Sequence, residues 1–97
     1  MSDMKFGKLA PSPDVLMQTV VGESVLLDLR SQKYFGLNEV GTRLWELLQA
    51  DADLAVARDR LLEEFEVEAA QLEEDLDALV ERLLAAGLVK ERGGKKA

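Results

Sequence analysis

The sequence predicts an α+β fold in which a three-stranded antiparallel sheet is followed by three helices. Short apolar runs separated by turn residues fill residues 14–37, and one run alternates with the period of two that is typical of a half-exposed strand. From residue 39 onward, apolar residues recur at helical spacing. The stretch KYFGLNEVGTRLWELL, residues 33–48, joins an aromatic strand directly to an amphipathic helix, which predicts that the sheet packs on helices.

The three predicted strands cover residues 14–21, 23–30 and 33–37. Gly22 is expected in a hairpin turn between the first two strands, and a second turn precedes Lys33. In the second strand, one set of residues alternates with another: Val25, Leu27 and Leu29 with Leu26, Asp28 and Arg30. This alternation predicts one buried face and one largely wet face. A meander of three strands leaves either the first or the third as an unpaired edge.

The first helix is expected to begin after Asn38, because the side-chain oxygen of Asn38 can accept a hydrogen bond from a free amide of the first turn. An aspartate, Asp51 or Asp53, is expected to cap the second helix. The third helix keeps its apolar spacing over residues 69–83. Gly87 is expected to end it in the left-handed conformation that glycine adopts readily.

The chain of 97 residues is expected to form one domain with one modest core, covering residues 12–90. Residues 1–11 show no periodicity and contain Pro11, so they are predicted to be a flexible N-terminal segment. Residues 91–97 are predicted to be a flexible basic tail. Neither a signal peptide nor a transmembrane run is visible, which makes the cytoplasm the expected compartment.

The composition argues against an enzyme. With no cysteine and no histidine, the chain has no thiol nucleophile, no thiolate metal site and none of the side chains that most often act as a general base near neutral pH. An enzyme based on carboxylates or lysine stays open, but no recognisable motif pairs such groups. We therefore expect a non-catalytic protein without a cofactor or a metal.

The charge pattern argues against a nucleic acid as the partner. The net charge is −7, and residues 50–86 hold 12 acidic side chains against 3 basic ones. A DNA-reading third helix would present basic and amide side chains to a groove, whereas the outward positions of this helix are mainly acidic. Neither a nucleic acid nor a membrane is expected as a partner. An acidic surface favours a basic or neutral partner.

The third strand is a candidate binding edge, since an unpaired strand can accept an extended peptide as an added strand. Phe35 and Leu37 share one face and are expected to be mainly core. Tyr34 and Gly36 share the other face, where glycine would let another backbone approach closely. The alternative interpretation is that these are ordinary core and edge residues.

The third helix is the candidate second wall of the same site. Asp75 and Arg82 lie seven residues apart on one margin of its apolar stripe. Charges beside an apolar groove can steer and register a bound peptide. The alternative interpretation is that both are solvated charges that border the apolar stripe and bind nothing.

The order of three strands and three helices resembles a compact winged helix-turn-helix. The run YFGLNEVG, residues 34–41, followed by LWELL, resembles the PqqD-like family. Phe65, the Asp75–Leu76 pair and the GLV ending at residues 87–89 fit the same pattern. The resemblance covers roughly residues 12–90, nearly the whole folded part.

Members of this family look like leader-peptide recognition elements for ribosomally synthesised, post-translationally modified peptides. The resemblance implies a winged-helix fold that binds the precursor's N-terminal leader as an extra antiparallel strand, next to the third strand and against the third helix. Carried onto this chain, it implies that the peptide-binding residues are Lys33, Tyr34, Phe35, Gly36, Leu72, Asp75, Leu76, Leu79, Val80, Arg82 and Leu83.

The run YFGLNE most resembles the standalone recognition proteins of lasso-peptide biosynthesis. Their partners are the precursor leader, a separate cysteine protease that removes the leader, and an ATP-dependent cyclase. The lack of cysteine fits this branch, because the chain itself cannot be that protease. Two alternatives remain: a peptide chaperone for biosynthesis of the quinone cofactor PQQ, acting with a radical-SAM enzyme, and an acidic winged-helix dimerisation module. Asp75 and the acidic body favour a leader that carries Lys or Arg.

Overall fold

The computed structural model describes residues 7–92. Along the chain the elements are β1 (Lys8–Pro11), β2 (Val15–Val20), β3 (Glu23–Asp28), β4 (Lys33–Leu37), α1 (Glu39–Gln49), α2 (Leu54–Glu64), α3 (Ala69–Ala85) and β5 (Val89–Arg92). The predicted α+β class, with a three-stranded antiparallel sheet and three helices, is confirmed. The sheet precedes the helices, as in a winged helix-turn-helix, and this finer classification stays a prediction.

The three-stranded sheet has the order β2-β3-β4, and both pairings are antiparallel. Val21 and Gly22 form the two-residue turn between β2 and β3, with φ angles of 49° and 83°. Positive φ at both turn residues is the geometry that matches the twist of a hairpin. Glycine adopts it without cost, whereas the branched side chain of Val21 is strained there.

The two faces of the sheet differ from the pattern that the sequence suggested. Val25 and Leu29, from the apolar set, have 40% and 49% of their surface exposed, whereas Leu26 on the opposite face is fully buried. The buried face also holds Ser24, whose hydroxyl lies 2.7 Å from that of Thr42 on α1. Paired hydroxyls can be buried at little cost, so the more polar of the two alternating sets faces the core.

The solvent-facing side of this sheet, called here the outer face, is unusually apolar. Cross-strand pairing aligns Leu16, Leu27 and Tyr34 in one row and Gln18, Val25 and Gly36 in the next. Leu16 is 54% exposed and Tyr34 is 73% exposed. A contiguous exposed apolar surface commonly marks a contact site for another molecule.

A second, two-stranded sheet joins β1 to β5, with Lys8 opposite Arg92 and Pro11 opposite Val89. The prediction that residues 1–11 form a flexible segment is therefore wrong for Lys8–Pro11, and Leu9 is fully buried. The predicted flexible tail, residues 91–97, likewise overlaps the last two residues of β5. Four-residue strands are too short to show a period, and their partners lie about eighty residues away. Residues 1–6 and 93–97, where the rest of both predicted segments falls, lie outside the described residues.

The predicted helix ends are confirmed in detail. The Asn38 side chain accepts from the Gly41 amide at 2.8 Å, and Asp53, rather than Asp51, accepts from the Val56 amide and caps α2. Gly87 follows α3 with φ of +75°. Two ion pairs tie the helices together, from Arg43 to Glu64 and from Arg58 to Glu73. The core between sheet and helices is centred on α1, and its largest fully buried side chains include Trp45, Leu26, Leu44, Leu48, Leu76, Val80 and Leu83.

No helix within residues 7–92 is long and apolar enough to cross a membrane.

Candidate peptide-binding groove

The β4 strand forms one edge of its sheet. It pairs with β3 on one side, and no described strand pairs with its other side. A Cβ atom added at Gly36 would meet no atom within 4 Å, so the outer face is open at this residue of the edge strand. Backbone N–H and C=O groups along such an edge are available to an added strand.

Between this edge and α3 lie two cavities, which together form the groove. The Val40 cavity, about 360 Å³, is lined by Gly36, Leu37, Asn38, Val40, Gly41, Val67, Leu72, Asp75, Leu76, Ala78, Leu79 and Arg82. The Ala85 cavity, about 340 Å³, is lined by Asp28, Ser31, Lys33, Tyr34, Phe35, Ala85, Ala86 and Leu88. Each has room for an apolar side chain, and the surface between them is where an extended peptide can lie.

Arg82 lines the Val40 cavity and contacts Phe35, which lines the Ala85 cavity. Its Cζ atom lies 5.0 Å from the centre of the Phe35 ring, within the range of a cation–π contact. Among the side chains that the structure describes, no carboxylate forms an ion pair with Arg82. At the other end of the same helix margin, the exposed Asp75 carboxylate accepts from the Gln71 amide nitrogen at 3.0 Å. The groove therefore carries a negative and a positive group at separate positions.

The lining residues also fix the relative direction of the two walls. The C-terminal end of β4 faces the first half of α3, whereas Lys33, at the N-terminal end of β4, shares a cavity with Ala85 and Ala86. β4 and α3 therefore run in opposite directions along the groove.

Residues 23–89 match the family model for Coenzyme PQQ synthesis protein D (PqqD). The chain belongs to the PqqD family. This match covers more than half of the chain and confirms the resemblance read from the run at residues 34–41. No curated protein matches the sequence.

Two solved structures are similar to this family member over most of its length. One, described as TbiB1 in complex with the TbiA(beta) leader peptide, is 30% identical with a TM-score of 0.76, and the match covers 90% of this chain and 99% of that one. The other is a lasso peptide synthetase B1 complexed with the leader peptide. It is 29% identical with a TM-score of 0.74, and the match covers 86% and 98% of the two chains.

Most of the residues predicted for the site line the groove. Leu72, Asp75, Leu76, Leu79 and Arg82 line the Val40 cavity together with Gly36, whereas Lys33, Tyr34 and Phe35 line the Ala85 cavity. Whether any of them contacts a peptide stays a prediction.

Val80 and Leu83 are placed differently from the prediction. They are 0% and 1% exposed, belong to the core and line neither cavity. At about 100° per residue, Val80 lies some 160° around the helix from Arg82, on the buried side of α3. Leu72 and Leu76 are also buried in the core, yet they line the Val40 cavity, so the sequence pattern alone did not show which apolar positions of α3 border the groove.

The groove also contains residues that the sequence pattern did not reveal. Val40 comes from the first turn of α1, Val67 from the loop before α3, and Ala78 from α3 itself. Of these three, Ala78 carried a usable signal, since it lies three residues after Asp75 and four before Arg82 and thus on the same helix face. The other two reach the groove through the tertiary fold.

Asp28 lines the Ala85 cavity with its side chain almost fully buried. Burial raises the pKa of this carboxyl group, but hydrogen bonds from the Arg30 amide and the Ser31 hydroxyl, with the charge of Arg30, outweigh that effect. The pKa of Asp28 therefore lies below its ordinary value, and the group stays ionised at neutral pH. It anchors the turn that leads into β4.

A larger cleft of about 770 Å³ lies elsewhere, between β1, β5 and the end of α3. Its Arg30 side chain already donates to the Gly87 carbonyl oxygen at 3.0 Å and pairs with Asp14 and Asp28. Within residues 7–92, no group of three or more side chains could hold a metal ion. The groove beside β4 remains the candidate functional site.

Proposed function

We propose that this protein binds the leader segment of a precursor peptide as an added antiparallel strand along β4, and that it does so without catalysing a reaction. The observation that carries the proposal is the open β4 edge lying along a groove with both apolar and charged residues in its lining. The two similar solved structures support it, because both are described as complexes with a leader peptide.

The backbone and the cavities have different roles in this mechanism. Hydrogen bonds to β4 hold the leader in an extended form but read little of its sequence, and each contributes about 0.5–1.5 kcal/mol net. A leader side chain that enters the Val40 cavity adds about 1.5–3 kcal/mol by leaving water. Recognition thus depends on an apolar residue that reaches this cavity when the backbone is paired.

The finer proposal is that the pathway makes a lasso peptide, and that the protein presents its leader to a separate leader peptidase, with a cyclase acting afterwards. The outer face supports a role in presentation, since it is apolar, largely uncharged and shares Tyr34 and Gly36 with the binding edge. Self-association through the same face is the competing use. The mass in solution, with and without a peptide, separates the two.

The test is a fluorescence-anisotropy titration with a labelled peptide copied from the N-terminal segment of a precursor encoded beside this protein. Leu79→Gln changes a half-buried residue of the groove, and Leu84→Gln changes a half-buried residue of the same helix that lines the other cleft. We expect saturable binding that Leu79→Gln weakens and Leu84→Gln preserves. Absence of binding to a folded protein contradicts the proposal.

A further inference from the structure

Arg82 is an unusual residue for its surroundings. It is one of only 3 basic side chains in residues 50–86, against 12 acidic ones, yet no described carboxylate pairs with it. Instead its guanidinium rests over the Phe35 ring, where the two halves of the groove meet. Because no acidic side chain within residues 7–92 forms an ion pair with Arg82, its charge is available to a ligand.

We propose that Asp75 and Arg82 together select a leader with a defined order of charges: a basic residue, then an apolar residue, then an acidic residue, from its N-terminus to its C-terminus. This inference rests on the proposed function. It adds the order of charged residues in the leader and the two side chains that recognise them.

The order follows from the direction of the groove walls. A leader that pairs antiparallel to β4 enters beside Asn38 and leaves beside Lys33. Because β4 and α3 run in opposite directions, this leader runs parallel to α3 and passes Asp75 before Arg82. Its basic residue, attracted by Asp75, must therefore come first. Lys33 at the exit, which has no ion-pair partner among the described side chains, adds positive charge where the acidic residue lies.

The spacing follows from helix and strand geometry. Seven residues of α3 separate Asp75 from Arg82, a rise of about 10.5 Å. A strand covers about 7 Å in two residues and about 13 Å in four, and only alternate side chains point to the same wall. A spacing of two residues between the two charged leader residues is too short for this distance. A spacing of three would direct one of the two charged side chains to the outer face. Four residues fit, with the middle one directed at the Val40 cavity.

The test uses the labelled precursor peptide of the titration above and charge-reversed protein variants. Arg82→Glu is compared with Arg60→Glu, which changes the net charge equally at an exposed position on α2. Each acidic residue of the peptide is replaced in turn by Lys, and each basic residue by Glu. Two controls detect a loss of packing against Phe35: the neutral variant Arg82→Gln, and thermal unfolding of every variant.

We expect Arg82→Glu to weaken binding about three- to tenfold, in line with partly exposed charge pairs, and Arg60→Glu to leave it unchanged. One peptide with an acidic residue changed to Lys should recover most of the loss. Asp75→Lys should be rescued in the same way by a peptide in which one basic residue is changed to Glu. That basic residue should lie four positions N-terminal to the acidic residue whose change rescues Arg82→Glu.

Three results overturn the inference while leaving the proposed function intact: no peptide rescues Arg82→Glu, the two rescuing positions occur in the reverse order, or Arg60→Glu weakens binding equally. Failure of the parent peptide to bind the folded wild-type protein rejects the proposed function and this inference together.

Discussion

Replacing Gly36 with valine should change stability and binding in opposite directions. A Cβ atom at this position meets nothing within 4 Å, so the fold itself does not require glycine there. Glycine inside a strand costs about 0.5–1 kcal/mol relative to alanine, and valine favours strands further. We expect Gly36→Val to stabilise the protein by about 1 kcal/mol, which raises the Tm of a domain of this size by about 4–8 °C.

The same substitution should weaken leader binding if an outward-pointing side chain of the paired leader lies over Gly36, because the added side chain points to the outer face. Adding a branched side chain to a close contact costs about 1–3 kcal/mol, or roughly 5- to 150-fold in affinity. Gln18→Val is the matched control, since Gln18 lies in the same cross-strand row but on β2. Thermal unfolding and anisotropy measure the two effects separately. A stabilised Gly36→Val variant that binds the leader as tightly as the wild type refutes the close approach at this residue.

Three further predictions follow from the structure. Val21→Asn should stabilise the protein by about 1–2 kcal/mol in thermal unfolding, because asparagine tolerates the positive φ of the hairpin turn better than a branched residue; an unchanged Tm contradicts the assigned strain. Asp28 has a pKa below the ordinary 3.8, so its stabilising effect is present above about pH 4 and is lost as the pH falls through the lowered value. Asp28→Asn should therefore be less stable than the wild type in denaturant unfolding at pH 7, with a gap that narrows in acid; a gap independent of pH refutes the linkage. Val25→Lys, on the exposed outer face, should leave folding and leader affinity unchanged but slow leader removal by the proposed leader peptidase; equal cleavage rates count against this face as the contact.

The sequence predicted the elements whose signals are local. Asn38 and Gly87 mark the ends of helices through chemistry within a few residues, and the structure confirms both. The period of two in β3 was also visible. The sequence did not show which face of β3 is buried, because that depends on the contact of Ser24 with Thr42 on α1.

For the candidate site, the sequence predicted the charged margin of α3 better than its apolar stripe. Asp75 and Arg82 lie on the exposed margin of α3, beside its buried positions, and both line the groove. Val80 and Leu83 belong to the same apolar pattern as Leu72 and Leu76, which are equally buried but do line the groove, so only the tertiary structure shows which of these positions border it. Val67 is placed there by the loop before α3, which has no periodic signal.

The pairing of β1 with β5 places the two ends of the described chain side by side, with Lys8 directly opposite Arg92. Paired residues of neighbouring antiparallel strands lie about 5 Å apart. A short linker could therefore join these ends, and the chain could be reopened at the exposed turn between Val20 and Glu23. Such a circular permutant would keep every strand pairing and would carry β3, β4 and all three helices as one uninterrupted segment. The groove would then be encoded by the first part of the rearranged chain, with β1 and β2 following it.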